Sequence, residues 1–345
     1  MKSKRFIWLS IACNLFLIIG ITILAIQYAN ENYYSVQSDI TKTNQNIIDF
    51  QWPADKKMAL SITFDDATIS QIDSGIPILD KYGVKATFYV TLPNLEKRID
   101  AWRKVINNGH EIGNHTTKHP CSLNYDGDHN NSLEYHTIIR MRNDLNVENI
   151  IIKNILGVNP VSFAYPCGQT FIGEGLNTKS YVPLVSEMFE SGRLFADGSV
   201  NPVFSDMAQL PSEHLDDRSF DQIKGLIENA RKTGKWLILT GHNIGTVQSL
   251  CHGYLTSPEY LTSSKSTIEA ICKYAIDPKN GIWIDNVHNI ASYIKGKRGE
   301  KQFVKVFINK NPISFFYSKL WSIYYISKMK LSNYKYIIQK KWCKF

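Results

Sequence analysis

The chain has 345 residues, 43% of them hydrophobic and 20% charged, which excludes a disordered polyelectrolyte and leaves room for one large α/β domain with appendages. Its formal net charge of +8 is unevenly spread: from Lys295 onward 13 Lys and Arg stand against one Glu, so that stretch carries +12 and the remaining 294 residues carry −4. The basic balance belongs to an appendage and does not describe the main domain.

In chain order, Lys2, Lys4 and Arg5 precede an apolar run over 6–26. A helix of that length crosses about 30 Å of hydrocarbon. The pattern predicts a cytoplasmic basic flank over 1–5, a transmembrane signal-anchor over 6–27 and a polar stalk over 28–54. A cleaved signal peptide is the competing reading, and either one exports the rest of the chain.

From 55 to 295, strand-like runs at 59–64, 85–90, 111–113, 161–165, 236–240 and 282–284 alternate with helix-like stretches at 72–81, 95–107, 133–156, 220–232 and 266–275. Such alternation predicts a parallel sheet with crossover helices, and pattern alone does not choose between a barrel and a doubly wound open sheet. Residues 178–211 lack a clear period and read as a loop with one helix. The tail, 296–345, interleaves aromatics with lysines. Ile313, Phe316, Leu320 and Ile323 recur at helical spacing, which suits a helix lying in a membrane interface. A packed or loosely ordered tail is the other reading, and nucleic acid is not expected as a partner of an exported chain.

The chemistry-bearing residues cluster at a few points. The apolar run from Met58 stops at two adjacent carboxylates, Asp65 and Asp66, and the end of a parallel strand is where α/β folds place chemistry. His115 and His119 are four apart, so one helical turn between them would put both imidazoles on one face. A solvated helix face gives the same spacing; the carboxylate pair upstream is what favours a metal. Two His and one Asp make a facial triad and leave the second Asp free as a base. The nitrogen-rich set favours zinc, with cobalt or manganese as alternatives.

Other features carry less. His110 and His115 imitate a zincin helix but stand one residue too far apart. His136, His214, His252 and His288 lack a ligand-spaced neighbour and read as structural. Cys121 and Cys167 both follow site motifs and are expected to form a disulfide, with Cys251–Cys272 as the complementary pair.

Thr63-Phe64-Asp65-Asp66-Ala67, His115-Thr116-Thr117-Lys118-His119, Phe163-Ala164-Tyr165-Pro166-Cys167-Gly168 and Leu237-Ile238-Leu239-Thr240-Gly241-His242 together resemble, in that order, the motifs of the polysaccharide deacetylase family (NodB homology, carbohydrate esterase family 4). The resemblance covers roughly residues 55 to 295. It implies an irregular (β/α) barrel with fewer than eight regular strands and a divalent metal on Asp66, His115 and His119. It further implies Asp65 as general base, His242 as general acid and the backbone N–H of Cys167 in an oxyanion hole. Two departures stand out. Ala164 occupies the position of an Arg that orients the base, and Arg193 is the candidate replacement. The acidic partner of His242 is not recognisable, and Asp197 and Asp206 are the candidates.

The resulting expectation is a membrane-anchored, extracytoplasmic, metal-dependent hydrolase. It would remove acetyl groups, N-acetyl before O-acetyl, from a cell-envelope or extracellular polysaccharide. A non-catalytic glycan-binding or export-assembly protein with the same barrel, and a metal hydrolase of small amides, are the alternatives.

Overall fold

In the computed structural model, which describes residues 50–125, 129–245 and 261–299, every residue of strand β1 (Met58–Asp65) is buried. Alternation explains how one strand serves two environments. Leu60, Ile62 and Phe64 join the large core beneath the outer helices. Ala59, Ser61, Thr63 and Asp65 occupy the opposite face. Strands β2 (Thr87–Val90), β3 (Glu111–Asn114) and β4 (Ser162–Ala164) come next, then an antiparallel pair, β5 (Phe171–Ile172) with β6 (Lys179–Ser180). After these come β7 (Ser191–Arg193), β8 (Glu213–His214) and β9 (Trp236–Gly241), a small parallel pair of β10 (Asn243–Gly245) and β11 (Thr262–Ser264), and β12 (Ile282–Ile284).

The main sheet runs β7-β4-β3-β2-β1-β9-β8, all parallel, with β12 paired to the first half of β1. Its two edges approach each other. The segment leading into β8 exchanges hydrogen bonds with β7 through Leu210 and Gly192, and Leu194 N–H donates to the Leu210 carbonyl. The strands therefore form an irregular (β/α) barrel, as the motifs imply, closed by a short irregular stretch. Outer helices include Ile76–Lys81, Ile99–Asn107, Ile138–Leu156, Phe220–Lys232 and Lys265–Ile276.

The sequence places most of these elements but misses some. The helix expected over 133–156 starts at Ile138, because Thr137 caps it by accepting a hydrogen bond from the Arg140 N–H. The stretch read as a loop with one helix, 178–211, contains helix Val182–Met188 as expected, and also the short strand β7, which the sequence does not announce.

Helix Val287–Arg298 closes the bottom of the barrel. Val287, Ile290, Ala291 and Ile294 recur at helical spacing and pack against Ala59, Trp236 and Ile238. Each fully buried aliphatic side chain there contributes roughly 1.5–3 kcal/mol. The helix continues past residue 295, and the guanidinium of Arg298 donates to the carbonyls of Asn201, Pro202 and Ser205. The packed domain also begins before residue 55. Trp52 is buried, donates from Nε1 to the Gly234 carbonyl at 3.0 Å, and lies among Phe50, Trp283 and Tyr293.

The expected anchor over 6–27, most of the stalk and the tail from residue 300 lie outside the described residues. Among the described residues no helix is long and apolar enough to cross a membrane.

Candidate active site

The barrel interior changes character from bottom to top. Above the apolar plug, Thr87 and Ser162 donate to the carboxylate of Glu111, which also accepts the His288 backbone N–H at 2.9 Å. Strand register then sets the next layer: Asp65 pairs with Tyr89, Tyr89 with Gly113, and Ala164 with Arg193. The site residues thus emerge at the carboxyl ends of the strands.

Asp65 ends β1, and the chain turns sharply after it, with Asp66 at φ 74° and Ala67 at φ 52°. These left-handed conformations are uncommon for residues with a Cβ. Arg193 Nη2 donates to Asp65 Oδ2 at 2.5 Å, and its Nη1 donates to Thr240 Oγ1 at 3.0 Å. The guanidinium also stacks over the Tyr89 ring, 5.0 Å from its centroid. Burial pushes the Asp65 carboxyl up, but Arg193 and the imidazoles of His115 and His242 outweigh it and hold the carboxyl below its usual range.

Asp66, His115 and His119 converge. His115 Nε2 lies 3.8 Å and His119 Nε2 4.0 Å from Asp66 Oδ1, and the three donor atoms fall within 4.8 Å of one another. The two His do not share a helix face as their spacing suggests. They belong to a turn in which Thr116 (φ 66°) and His119 (φ 50°) are left-handed, and the Thr116 hydroxyl accepts the His119 N–H. His115 Nδ1 donates to the Ala164 carbonyl at 2.9 Å, which fixes the tautomer and leaves the Nε2 lone pair free. That Nε2 is buried without a hydrogen-bond partner, as is Asp65 Oδ1. Burial pushes both imidazoles down, to about 4, so they are neutral donors at neutral pH. An orphaned imidazole nitrogen, a second neutral imidazole and an adjacent carboxylate fit a divalent cation.

His242 follows β9. Its Nδ1 donates to Asp216 Oδ2 at 2.6 Å, and Asp216 Oδ1 accepts from the His242 N–H at 3.1 Å and from Ser263 Oγ at 2.6 Å. Burial alone lowers an imidazole pKa, but the Asp216 bond and charge outweigh it and raise His242 to about 9. Phe195 stands edge-on to the ring at 5.9 Å.

Asp216 replaces both expected partners. Asp197 and Asp206 are exposed, and the Asp206 carboxylate instead accepts from Ala208 N–H and the Gln209 side chain. The sequence signal for Asp216 is the pair Asp216-Asp217, two adjacent carboxylates between a short strand and a capped helix, the arrangement that draws attention to Asp65-Asp66. Gln71 has no such signal. Its buried amide donates to the carbonyls of Asp65 at 2.6 Å and His242 at 3.0 Å, joining the two motif ends.

Cys167 sits in a left-handed turn (φ 54°) and is bonded to Cys121 across a Cα–Cα distance of 5.9 Å. Cys272 is a buried free thiol in the core, contrary to the expected pairing, and Cys251 lies outside the described residues. Four other described histidines have local partners: His110 meets Asp80, His136 meets Asp144 and His288 meets Glu190, while the His214 ring lies tilted against Phe195.

Comparison with known proteins agrees with this architecture. Residues 53–172 match the model of the polysaccharide deacetylase family. The uncharacterised Bacillus subtilis protein YlxY is 32% identical over 28% of this chain and 27% of its own. The peptidoglycan-N-acetylglucosamine deacetylase of Bacillus cereus is 35% identical over 33% of this chain and 38% of its own. The chain thus spans well under half the length of either curated relative. A Mycobacterium smegmatis crystal structure named for the polysaccharide deacetylases superposes with a TM-score of 0.50 at 17% identity, covering 72% of this chain and 94% of that one, which is a likeness of fold. The family match thus spans β1 to β5, the segment that carries Asp65, Asp66, His115 and His119, within a barrel similar in fold to that polysaccharide deacetylase structure.

Proposed function

We propose that the chain hydrolyses acetyl groups from an N-acetylated sugar of a cell-envelope polysaccharide, with a divalent cation, zinc by first choice, held by Asp66, His115 and His119. One observation carries this reading: the ligand triad is flanked by two carboxylate dyads, Asp65 with Arg193 and His242 with Asp216, whose charge states are set in opposite directions. Paired groups of this kind divide acid from base work at one pH.

Asp66, His115 and His119 would hold a divalent cation, which when bound would acidify a water and polarise the acetyl carbonyl. Asp65, kept ionised by Arg193, accepts the proton of the attacking water. The Cys167 N–H donates to the developing oxyanion, a main-chain role to which the side chain is no obstacle. His242, protonated and oriented through Nδ1 by Asp216, delivers its Nε2 proton to the leaving nitrogen. An amide nitrogen must be protonated before the C–N bond breaks, so an acid that stays charged to about pH 9 favours N-acetyl over O-acetyl substrates. The name of the Bacillus cereus relative points to the same substrate class.

The apolar segment 6–27, read as an uncleaved anchor, puts the domain outside the cytoplasmic membrane, and the Cys121–Cys167 bridge suits an oxidising compartment. The test is acetate release from acetylated glucosamine oligomers by the wild type and by Asp65→Asn and His242→Ala. Losses of about 10²–10⁴ are expected in both variants; equal background release from all three proteins would overturn the proposal. Asp66→Asn should lower metal content, measured without any substrate.

A further inference from the structure

The sulfurs of the Cys121–Cys167 bridge lie against one of the expected metal ligands. Cys121 Sγ is 3.5 Å from His119 Nδ1, and the two sulfurs with an imidazole nitrogen of His119 fall within 4.8 Å of one another. His119 therefore has two working edges, with Nε2 turned to Asp66 and Nδ1 turned to sulfur. Two thiolates and an imidazole form a soft donor set of the kind zinc and cobalt take, and here only the S–S bond keeps it from a metal. All three residues are half-buried, so a small reductant reaches them.

The backbone already has the right spacing. Two metal–sulfur bonds of about 2.3 Å at a tetrahedral angle set the sulfurs about 3.8 Å apart. Side-chain rotation across the 5.9 Å Cα–Cα separation supplies that without moving the backbone of either loop.

We propose that reduction of this bridge creates a second metal site, for a thiophilic divalent cation, on Cys121 Sγ, Cys167 Sγ and His119 Nδ1. A dithiol reductant gives two electrons and two protons to the disulfide and is itself oxidised to a disulfide. The cation then replaces the two thiol protons, which pass to solvent, and forms two bonds to sulfur and one to nitrogen. A solvent water completes four-coordination. A neutral imidazole has one lone pair, so a cation on Nδ1 withdraws His119 from Asp66 and His115. The bridge thereby acts as a guard on the first site: while it is intact, His119 serves only that site.

The test is cobalt(II) titration of the full-length chain, with and without prior dithiol reduction, followed by absorbance. Thiolate ligation gives an intense near-ultraviolet charge-transfer band that nitrogen and oxygen ligands do not. The expected result is no such band in the oxidised protein, and one equivalent of it after reduction. The band should weaken in Cys121→Ser and in Cys167→Ser, vanish in the double serine variant, and need about tenfold more cobalt in His119→Gln. A reduced wild type without the band, or a band that persists in the double serine variant through the other cysteines, overturns the proposal. Near-ultraviolet circular dichroism recorded on the same samples must be retained on reduction; its collapse also overturns the proposal, since the three ligands would no longer be held together.

Discussion

Ala164 and Arg193 are register partners on the adjacent parallel strands β4 and β7, and the guanidinium of the second reaches Asp65 at 2.5 Å. An Arg expected at one strand position is thus supplied by its lateral neighbour, and the charge arrives at the same carboxylate. Removing it leaves a buried, unpaired acid. Arg193→Ala should lower kcat by about 10²–10³. Adding Ala164→Arg to that variant should restore at least part of the loss, because residue 164 is the register partner of Arg193 and starts from the same level of the barrel. Steady-state kinetics of the single and double variants check both statements.

His242 gives the pH dependence its sign. Its pKa is raised to about 9, so the protonated acid persists through neutrality and kcat/KM should fall as the pH rises through about 9. Asp216→Asn removes the partner that raises it, and the alkaline limb should move down toward the ordinary value of 6.5. The same pair affects stability. A raised folded-state pKa contributes stability that is full below the unfolded value and is lost as the pH passes through the folded one. Melting curves of the two proteins should therefore converge above about pH 9.

Gly113 is required by its neighbours. A Cβ there would press into the Tyr89 ring and lie 2.8 Å from Ser162 Oγ. Gly113→Ala should destabilise the domain by about 1–3 kcal/mol through overpacking. Tyr89 stacks on Arg193, so kcat should drop with the melting temperature in this variant.

Glu111 offers the contrasting case. It accepts from Thr87, Ser162 and the first turn of helix Val287–Arg298, below the reacting groups. Glu111→Gln should cost about 1–3 kcal/mol in denaturant melts, since one buried acceptor becomes a donor without a partner. Its kcat/KM should stay within about twofold of wild type.

What the sequence reveals depends on element length. Strand β1 is legible because eight alternating residues end in two carboxylates, and His242 because six buried residues precede it. Strands β7 and β8, with three and two residues, are too short to show a period, yet they position Arg193 and lead into Asp216. Arg193 can be singled out as a candidate, but not its strand, and Asp216 is hidden behind Asp197 and Asp206. Convergence of His115 and His119 is legible as a spacing; the turn that produces it is not, because nothing in Thr116 or His119 announces a left-handed backbone. The helix 287–298 has a readable stripe in Val287, Ile290, Ala291 and Ile294, and its role as a barrel plug needs the third dimension.

Trp52 seals against Gly234 and Tyr293 at the end of the barrel where the strands begin, whereas the reacting groups stand where the strands finish. Chain entering at residue 50 therefore arrives on the side away from the mouth. If the chain is held by its first residues, as proposed above, the opening would lie at the end of the barrel opposite the point where the tether enters.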